Sequence, residues 1–256
     1  MLGYERQQQI LELLNEERFV TVSFLCNKLY TSGATIRRDL TEMDQKGLLR
    51  RVRGGATCIQ GSSEDAPLLL RTKTEIEKKQ KIALLALQYI QEGDSLFFDS
   101  SSTVSTLAEH LSDFHNLTVV TNGFTTASIL NDMPRHKVFL CGGRLLKQSS
   151  MIGPMAEDAI RKFSANKVFF SCCGLSIQSG ITEANEENAT IKRLMLNNST
   201  KRILLCDSTK FDTTYFCKTC DLAEIDVLIT DCLPNLEFLK YLNKLDHKVQ
   251  VIYPLM

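Results

Sequence analysis

The sequence predicts an α/β protein in two parts: a small N-terminal winged helix-turn-helix and a larger unit with a mostly parallel sheet. Three observations predict it. Residues 1–58 carry three short stretches with apolar residues at helical spacing, followed by a basic hairpin pattern. Residues 60–67 are polar and hold the breakers Gly61 and Pro67, the composition of a linker. Beyond residue 75, short apolar runs alternate with helical stretches, the pattern of parallel strands joined by helices. The expected domains are therefore 1–58, a linker over 59–74, and 75–256.

In the first part, Ile10, Leu13 and Leu14 place a helix over 4–15. Val22, Leu25, Cys26 and Leu29 repeat at i, i+3, i+4 and i+7, with Thr21 as candidate N-cap. After a turn at Tyr30-Thr31, a third helix runs over 32–46, with Ile36, Leu40 and Met43 inward and Gly47 as candidate terminator. Its outer face offers Ser32, Ala34, Thr35, Arg37 and Arg38. The N-terminal half of a second reading helix enters the major groove, where arginine grips phosphate or the acceptor edge of guanine. Taken alone, that face also fits a solvated surface with Arg38 and Glu42 paired at i, i+4. The next residues decide for a duplex. Residues 48–58 read as a hairpin with Gly54-Gly55 at its tip and Arg50, Arg51 and Arg53 along it. Such a wing adds contacts to the phosphate backbone.

In the second part, a helix begins near Glu75 with Ala83, Ala86, Leu87 and Ile90 on one face. Strands are expected over 95–98, 117–120, 138–141, 167–171, 202–206, 227–229 and 249–252. Helices are expected near 104–111, 124–130, 186–198 and 235–243. In such sheets the ligand sits beyond the carboxyl ends of the strands. Asp99, Ser100, Ser101, Ser102 and Thr103 follow the first strand, and Thr121-Asn122 the second. Gly142-Gly143 follow the third, Gly174 the fourth, and Asp207 and Lys210 the strand after them. Serine runs cap helices and glycine pairs make turns, so each segment alone has a plain explanation. Their convergence predicts one anion-tolerant pocket.

Composition narrows the class. The 43% hydrophobic content of the 256 residues suits a globular chain with a core. No apolar run approaches the roughly 20 residues of a membrane span, and residues 1–6 lack the apolar stretch of a secretory signal, so a cytoplasmic protein is expected. Thirty basic residues balance thirty acidic ones. The nine cysteines read mostly as small buried hydrophobes. Cys217 and Cys220 have the spacing of a metal or redox pair, but no second CxxC or histidine pair lies nearby, so no metal or cofactor is expected.

The motif Thr35-Ile36-Arg37-Arg38-Asp39-Leu40, then Gly47-Leu48-Leu49-Arg50-Arg51 and Gly54-Gly55-Ala56, resembles the winged helix-turn-helix of the DeoR family of bacterial transcriptional regulators. Thr31-Ser32 stands where that family usually has Val-Ser. Glu77-Lys78 with Ile82-Ala83, the 99–103 loop, Thr121-Asn122, Gly142-Gly143, Gly153-Pro154, Gly180-Ile181-Thr182, the 207–211 segment and Asp226 with Thr230-Asp231 resemble its C-terminal sensor domain. The resemblance implies a fold similar to ribose-5-phosphate isomerase and a phosphorylated sugar as effector. In the loop usually reading Asp-Ser-Gly-Thr-Thr, Ser101 replaces the glycine and Ser102 the first threonine. The expected protein is a DNA-binding regulator, a repressor of carbohydrate-metabolism genes. Its partners are a double-stranded DNA operator, the effector and further copies of itself as dimer or tetramer. Two rivals are weighed against it. A sugar-phosphate isomerase would use Asp99, Glu183, Asp207 and Lys210 as acid–base groups. A thiol sensor would use Cys172-Cys173 or Cys217 with Cys220.

Overall fold

The computed structural model describes residues 3–17, 19–46, 48–57, 71–72, 74–146 and 149–254. The chain divides into two compact units, Met1–Leu70 and Arg71–Met256. The linker read over 60–67 and the terminator read at Gly47 lie outside the described residues.

The first unit runs α1 (Gly3–Glu17), β1 (Phe19–Thr21), α2 (Val22–Leu29), α3 (Gly33–Gln45), β2 (Arg50–Val52) and β3 (Gly55–Thr57). Thr21 caps α2, its Oγ1 accepting from Phe24 N at 3.1 Å. Tyr30 ends α2 in the left-handed region at φ 49°. Ser32 caps α3, accepting from Thr35 N. Ile10 and Leu14 of α1, Leu25 and Leu29 of α2, and Ile36, Leu40 and Met43 of α3 meet in one core with Leu49. The inward stripe of α3 also carries Asp39, 2% exposed, which the apolar pattern does not reveal. Arg6 of α1 answers it with two hydrogen bonds, Nε to Oδ2 at 2.5 Å and Nη2 to Oδ1 at 3.1 Å.

The hairpin β2–β3 forms as expected, but it gains a third strand. β1 pairs antiparallel with β3, giving the order β1-β3-β2. Gly54 supplies the positive φ of the turn, 89°. Gly55 has a different reason: a Cβ there would stand 2.0 Å from the carbonyl oxygen of Val20. The close approach of β1 to β3 needs the glycine.

The second unit begins with α4 (Ile76–Ala86), which tightens into a 3-10 turn at Leu87–Tyr89. Then follow β4 (Ser95–Phe98), α5 (Ser102–Ala108), β5 (Thr118–Thr121), α6 (Phe124–Asn131), β6 (Lys137–Leu140), β7 (Arg144–Leu146), β8 (Ser150–Ile152), α7 (Pro154–Arg161), β9 (Ala165–Phe170), β10 (Gly174–Ser176), β11 (Gly180–Glu183), α8 (Glu186–Asn197), β12 (Ser199–Leu205), β13 (Cys217–Cys220), β14 (Val227–Ile229), α9 (Leu236–Leu242) and β15 (Gln250–Ile252). Seven strands make a sheet in the order β15-β14-β12-β9-β4-β5-β6, and every pairing in it is parallel.

Alternate residues of these strands feed two cores. Phe97, Val168, Phe170, Leu204 and Leu228 face α7, α8 and α9. Leu96, Phe98, Val119, Phe169, Ile203 and Leu205 face α4, α5 and α6. Burial on both faces is why the strands read as continuous apolar runs rather than alternating ones. The sequence reading misses the β7–β8 hairpin, helix α7 and the small antiparallel sheet β10-β11-β13. Most of these strands are three residues long, too short to show a period.

From β4 the chain steps outward through β5 to β6. It then returns to the other side of β4 with β9 and steps outward again through β12, β14 and β15. The order therefore reverses between β4 and β9, and the crevice beyond their carboxyl ends is where this architecture takes ligands.

Candidate functional site

The candidate nucleic-acid face is set by the core beneath it. Burial of Ile36, Leu40 and Met43 turns Ser32, Ala34, Arg37 and Arg38 outward, and all four are exposed; Thr35 is half-buried. Ser32 is tied to Thr35 by a 2.9 Å hydroxyl contact as well as its cap bond. The Arg37 guanidinium lies back over Gly33, where a Cβ would stand 3.4 Å from Nη1. Gly33 opens α3 and Arg37 stands one turn further on, so both lie in the N-terminal half of the helix. The i, i+4 pairing of Arg38 with Glu42 does not form. Glu42 pairs with Lys46 instead. That hydrogen bond is the main reason its carboxyl is held below its ordinary value.

The wing is joined to α3 rather than turned from it. Arg51 Nη1 donates to Thr41 Oγ1 at 2.6 Å, and Arg51 N donates to Asp44 Oδ1 at 3.1 Å. Arg50, Arg51 and Arg53 are all exposed. Arg51 is also engaged within the unit, so Arg50 and Arg53 are the cleaner pair for testing electrostatic contact with DNA. Each phosphate contact removes about 0.9 from the slope of log affinity against log salt. Replacing Arg50 and Arg53 with alanine is therefore expected to flatten that slope by about 2, read by DNA titration at several salt concentrations.

In the second unit, the switch point holds a buried charge network. Asp99 leaves the end of β4 with 0% exposure. Its Oδ1 accepts from Ser101 N at 3.0 Å and Ser101 Oγ at 2.5 Å. Its Oδ2 accepts from Ser171 N, at the end of β9, at 3.0 Å. Lys192 of α8 stands 3.1 Å from that same oxygen. It also pairs with Glu183 of β11 and donates to Ser171 O at 2.7 Å. Burial alone would lower the Lys192 pKa, but Glu183 and Asp99 outweigh it and raise it. Lys192 thus hydrogen-bonds Ser171 O and Glu183 and has Asp99 as a second ionic partner.

Lys210 approaches from the turn after β12. It donates to Ser171 Oγ at 2.9 Å and stands 3.5 Å from Asp207. Its side chain is 20% exposed, which makes it the accessible cation of the network. Burial opposes its charge; Asp207 outweighs that and raises its pKa. The Asp207 carboxyl is pushed up by burial, but Lys210, the Thr209 hydrogen bonds and Lys79 bring it below its ordinary value.

A second group adjoins the first through Ser100. Ser150 Oγ donates to Ser100 Oγ at 2.6 Å. Asn122 Nδ2 reaches the same oxygen at 3.5 Å and Met151 O at 3.2 Å. Thr121 Oγ1 accepts from Gly123 N. Among the described residues, Asn122 Oδ1 and Thr103 Oγ1 are buried with no hydrogen-bond partner.

Of the sequence-predicted pocket residues, Asp99, Ser101, Asp207 and Lys210 join the first network, and Ser100, Thr121 and Asn122 the second. Ser101 is also the cap of α5, accepting from Val104 N at 3.3 Å, and residues 99–103 are all buried. Ser102 contributes its carbonyl to Thr106. The glycines have backbone reasons of their own. Gly143 sits at φ 133°, and a Cβ there would stand 2.6 Å from Ile152 O. A Cβ at Gly174 would stand 2.6 Å from Thr213 O. Gly142 is exposed on the turn after β6. The sequence reading misses Ser171, Ser150 and Lys192. For Lys192 a signal existed, because it falls on the stripe of Ala189, Met195 and Leu196 that the helix buries.

The thiols proposed as a sensor are arranged differently from the expectation. Cys172 and Cys173 point apart: Cys172 Sγ lies 3.8 Å from Cys206 Sγ, and Cys173 donates to Glu183 Oε2 at 3.3 Å. Burial pushes the Cys206 thiol well up. Cys217 is half-buried and Cys220 buried on β13.

The family models match both units. A DeoR-like helix-turn-helix domain covers residues 6–61, and the DeoR C-terminal sensor domain covers 74–232. The chain belongs to the DeoR family. Among its DeoR relatives, the HTH-type transcriptional repressor GlcR of Bacillus subtilis is 34% identical over 95% of this chain and 94% of its own. The uncharacterized regulator YulB of the same organism is 35% identical over 90% of each chain. The transcriptional repressor AccR of Agrobacterium fabrum is 31% identical over 89% of each. A ribose 5-phosphate isomerase from Methanocaldococcus jannaschii is similar over 54% of this chain and 55% of that one, at TM-score 0.41 and 10% identity.

This DeoR protein is thus a DNA-binding transcriptional regulator and not an enzyme. The carboxylates considered for isomerase chemistry are all engaged within the unit. Asp99 and Glu183 share Lys192, and Asp207 is engaged by Lys210 and Thr209. Among the described residues, no helix is long and apolar enough to cross a membrane.

Proposed function

We propose that this regulator represses genes of carbohydrate metabolism and is controlled by a phosphorylated sugar bound at the β4/β9 switch point. The observation that carries the reading is the meeting of Lys210, Ser171, Asp99 and Lys192 beyond the carboxyl ends of three adjacent strands. Lys210 is the one partly exposed cation of that network and suits a phosphate. In the adjoining group, Ser100, Ser150 and the unpartnered Asn122 Oδ1 offer the hydroxyl and amide groups that a polyol engages.

Ser32, Ala34, Thr35, Arg37 and Arg38 read the operator, and Arg50, Arg51 and Arg53 hold its backbone. A two-fold assembly of this chain, as dimer or tetramer, matches a palindromic operator. Repression fits the two relatives that are named repressors. Control requires that the effector bind one arrangement of the protein more tightly than the other, because only that difference shifts operator occupancy.

Thermal melts of the full chain against ribose 5-phosphate, fructose 6-phosphate and glucose 6-phosphate, with inorganic phosphate and the free sugars as controls, test the effector. At least one phosphosugar is expected to raise Tm, by about 2.7 kcal/mol of stabilisation at a hundred times its Kd. Lys210→Met is expected to remove the shift. A panel in which no phosphosugar outperforms its free sugar contradicts the reading.

A further inference from the structure

Helix α3 carries a charge on its buried side. Asp39 falls on the stripe of Ile36, Leu40 and Met43, three residues after the first of them and four before the last. A carboxylate is costly to bury unless a cation meets it. Arg6 of α1 meets it with two prongs of its guanidinium, Nε on one carboxylate oxygen and Nη2 on the other. The two side chains are only 10% and 3% exposed. A sequence separation of 33 residues is thereby closed by two parallel hydrogen bonds inside the first unit.

The contacts beneath α3 constrain different things. Ile36, Leu40 and Met43 meet Ile10, Leu14 and Leu25 in the core. Apolar burial is non-directional, so it holds the helix down without fixing its rotation closely. A two-pronged arginine–carboxylate pair fixes distance and angle together. Other polar bonds reach α3 nearer water: Gln7 of α1 bonds Glu42, and Arg51 of the wing bonds Thr41 and Asp44. The Arg6–Asp39 pair is shielded from that competition. Rotation matters at a duplex. Arg38 and Arg37 stand one and two residues before Asp39, about 100° and 200° around the helix. A turn of about 15° carries an atom at the outer radius of about 5–6 Å through roughly 1.5 Å. Hydrogen-bond lengths spread over only about 0.5 Å.

We propose that Arg6 and Asp39 are positioning residues for operator recognition: their buried pair sets the rotation of α3 and so aims Arg37 and Arg38 at the base edges, while adding little to net stability. The proposal rests on the reading of α3 as the helix in the groove. Its energetic side follows from burial. Taking both charges out of water offsets most of what their attraction contributes, so the pair is retained for geometry rather than for strength. Contacts to phosphates need less precise aim than two-pronged contacts to a base, so specific binding depends on the pair and non-specific binding does not.

The test takes the full-length protein through a thermal melt and two titrations at one salt concentration, with upstream operator DNA and with a scrambled duplex of the same length. Arg6→Met combined with Asp39→Leu replaces the pair by apolar side chains. Such a replacement is neutral or stabilising, so this variant is expected to melt within about 5 °C of wild type, or above it. Its operator affinity is expected to fall about tenfold or more, with affinity for the scrambled duplex within about twofold of wild type. Arg6→Lys keeps the charge and loses the planar fork. It is expected to move the same way, by about threefold or more, and it decides alone should the double variant fail to fold. Wild-type operator affinity in these variants overturns the proposal. So does a parallel loss on both duplexes, since the pair then only holds the fold. The reading of α3 is tested separately by Arg37→Ala with Arg38→Ala. If that variant keeps wild-type operator affinity, the reading of α3 is what fails; if it loses affinity while the pair variants do not, the positioning role fails by itself.

Discussion

Replacing Arg37 and Arg38 together with alanine is expected to abolish sequence-specific operator binding while leaving the protein folded. Both side chains are exposed on α3, opposite the buried Ile36, Leu40 and Met43. A well-placed arginine contact to a base contributes about 1–3 kcal/mol of discrimination, so losing two lowers specific affinity at least about thirtyfold. Stability should change little, because surface replacements of this kind stay within about 0.5 kcal/mol. Fluorescence anisotropy with upstream DNA, paired with a thermal melt, reads both. Alanine also favours helix, so α3 keeps its backbone. A double variant that melts early would place these arginines in the fold rather than at the duplex. One that keeps wild-type affinity would remove α3 as the reading helix.

The second large effect belongs to Lys192. Changing Lys192 to methionine keeps the length of the side chain and removes its charge. Asp99 and Glu183, 0% and 2% exposed, then lose the cation they share. Removing one partner of a buried ion pair costs about 3–5 kcal/mol, because an uncompensated charge stays inside. For a unit of this size that corresponds to a loss of roughly 10 °C in Tm. The pH dependence gives the variant a signature. Protonating one carboxylate relieves a pair without its lysine, so the deficit relative to wild type narrows as pH falls and widens as it rises. Melts of both proteins across mildly acidic to neutral pH check this. A deficit below about 1 kcal/mol, or one that is flat with pH, would mean that the network is not held by Lys192.

Much of the architecture was legible from residue pattern. The core helices of the first unit show their inward stripes because water lies on their other side. The runs at 96–98, 168–170 and 203–205 are apolar throughout because helices cover both faces of the parallel sheet. The three-residue strands β7, β8 and β10 carry too few positions for a period. They form because their partners lie close, a tertiary cause that local sequence does not encode.

The site was legible in a similar, partial way. Strand-end logic finds Asp99, Asn122, Asp207 and Lys210, since parallel strands deliver their carboxyl ends to one edge. It does not find Lys192, which arrives from a helix beyond the sheet, nor Ser171, one of many serines. Arg6 and Asp39 are hidden for a related reason. Each looks like an ordinary surface charge until the fold brings residues 33 positions apart into contact. Ser101 shows how one residue takes two duties, capping α5 while holding Asp99. Pattern alone reports only the cap.

The most direct test of the account is a titration of labelled operator DNA with the full-length protein, with and without the phosphosugar that shifts its melt. Operator affinity is expected to fall by a factor of about 5–150 when that phosphosugar is present, and the free sugar is expected to leave it unchanged. An affinity that is the same in the presence and absence of every bound phosphosugar would contradict the claim that the switch-point network governs the grip on DNA.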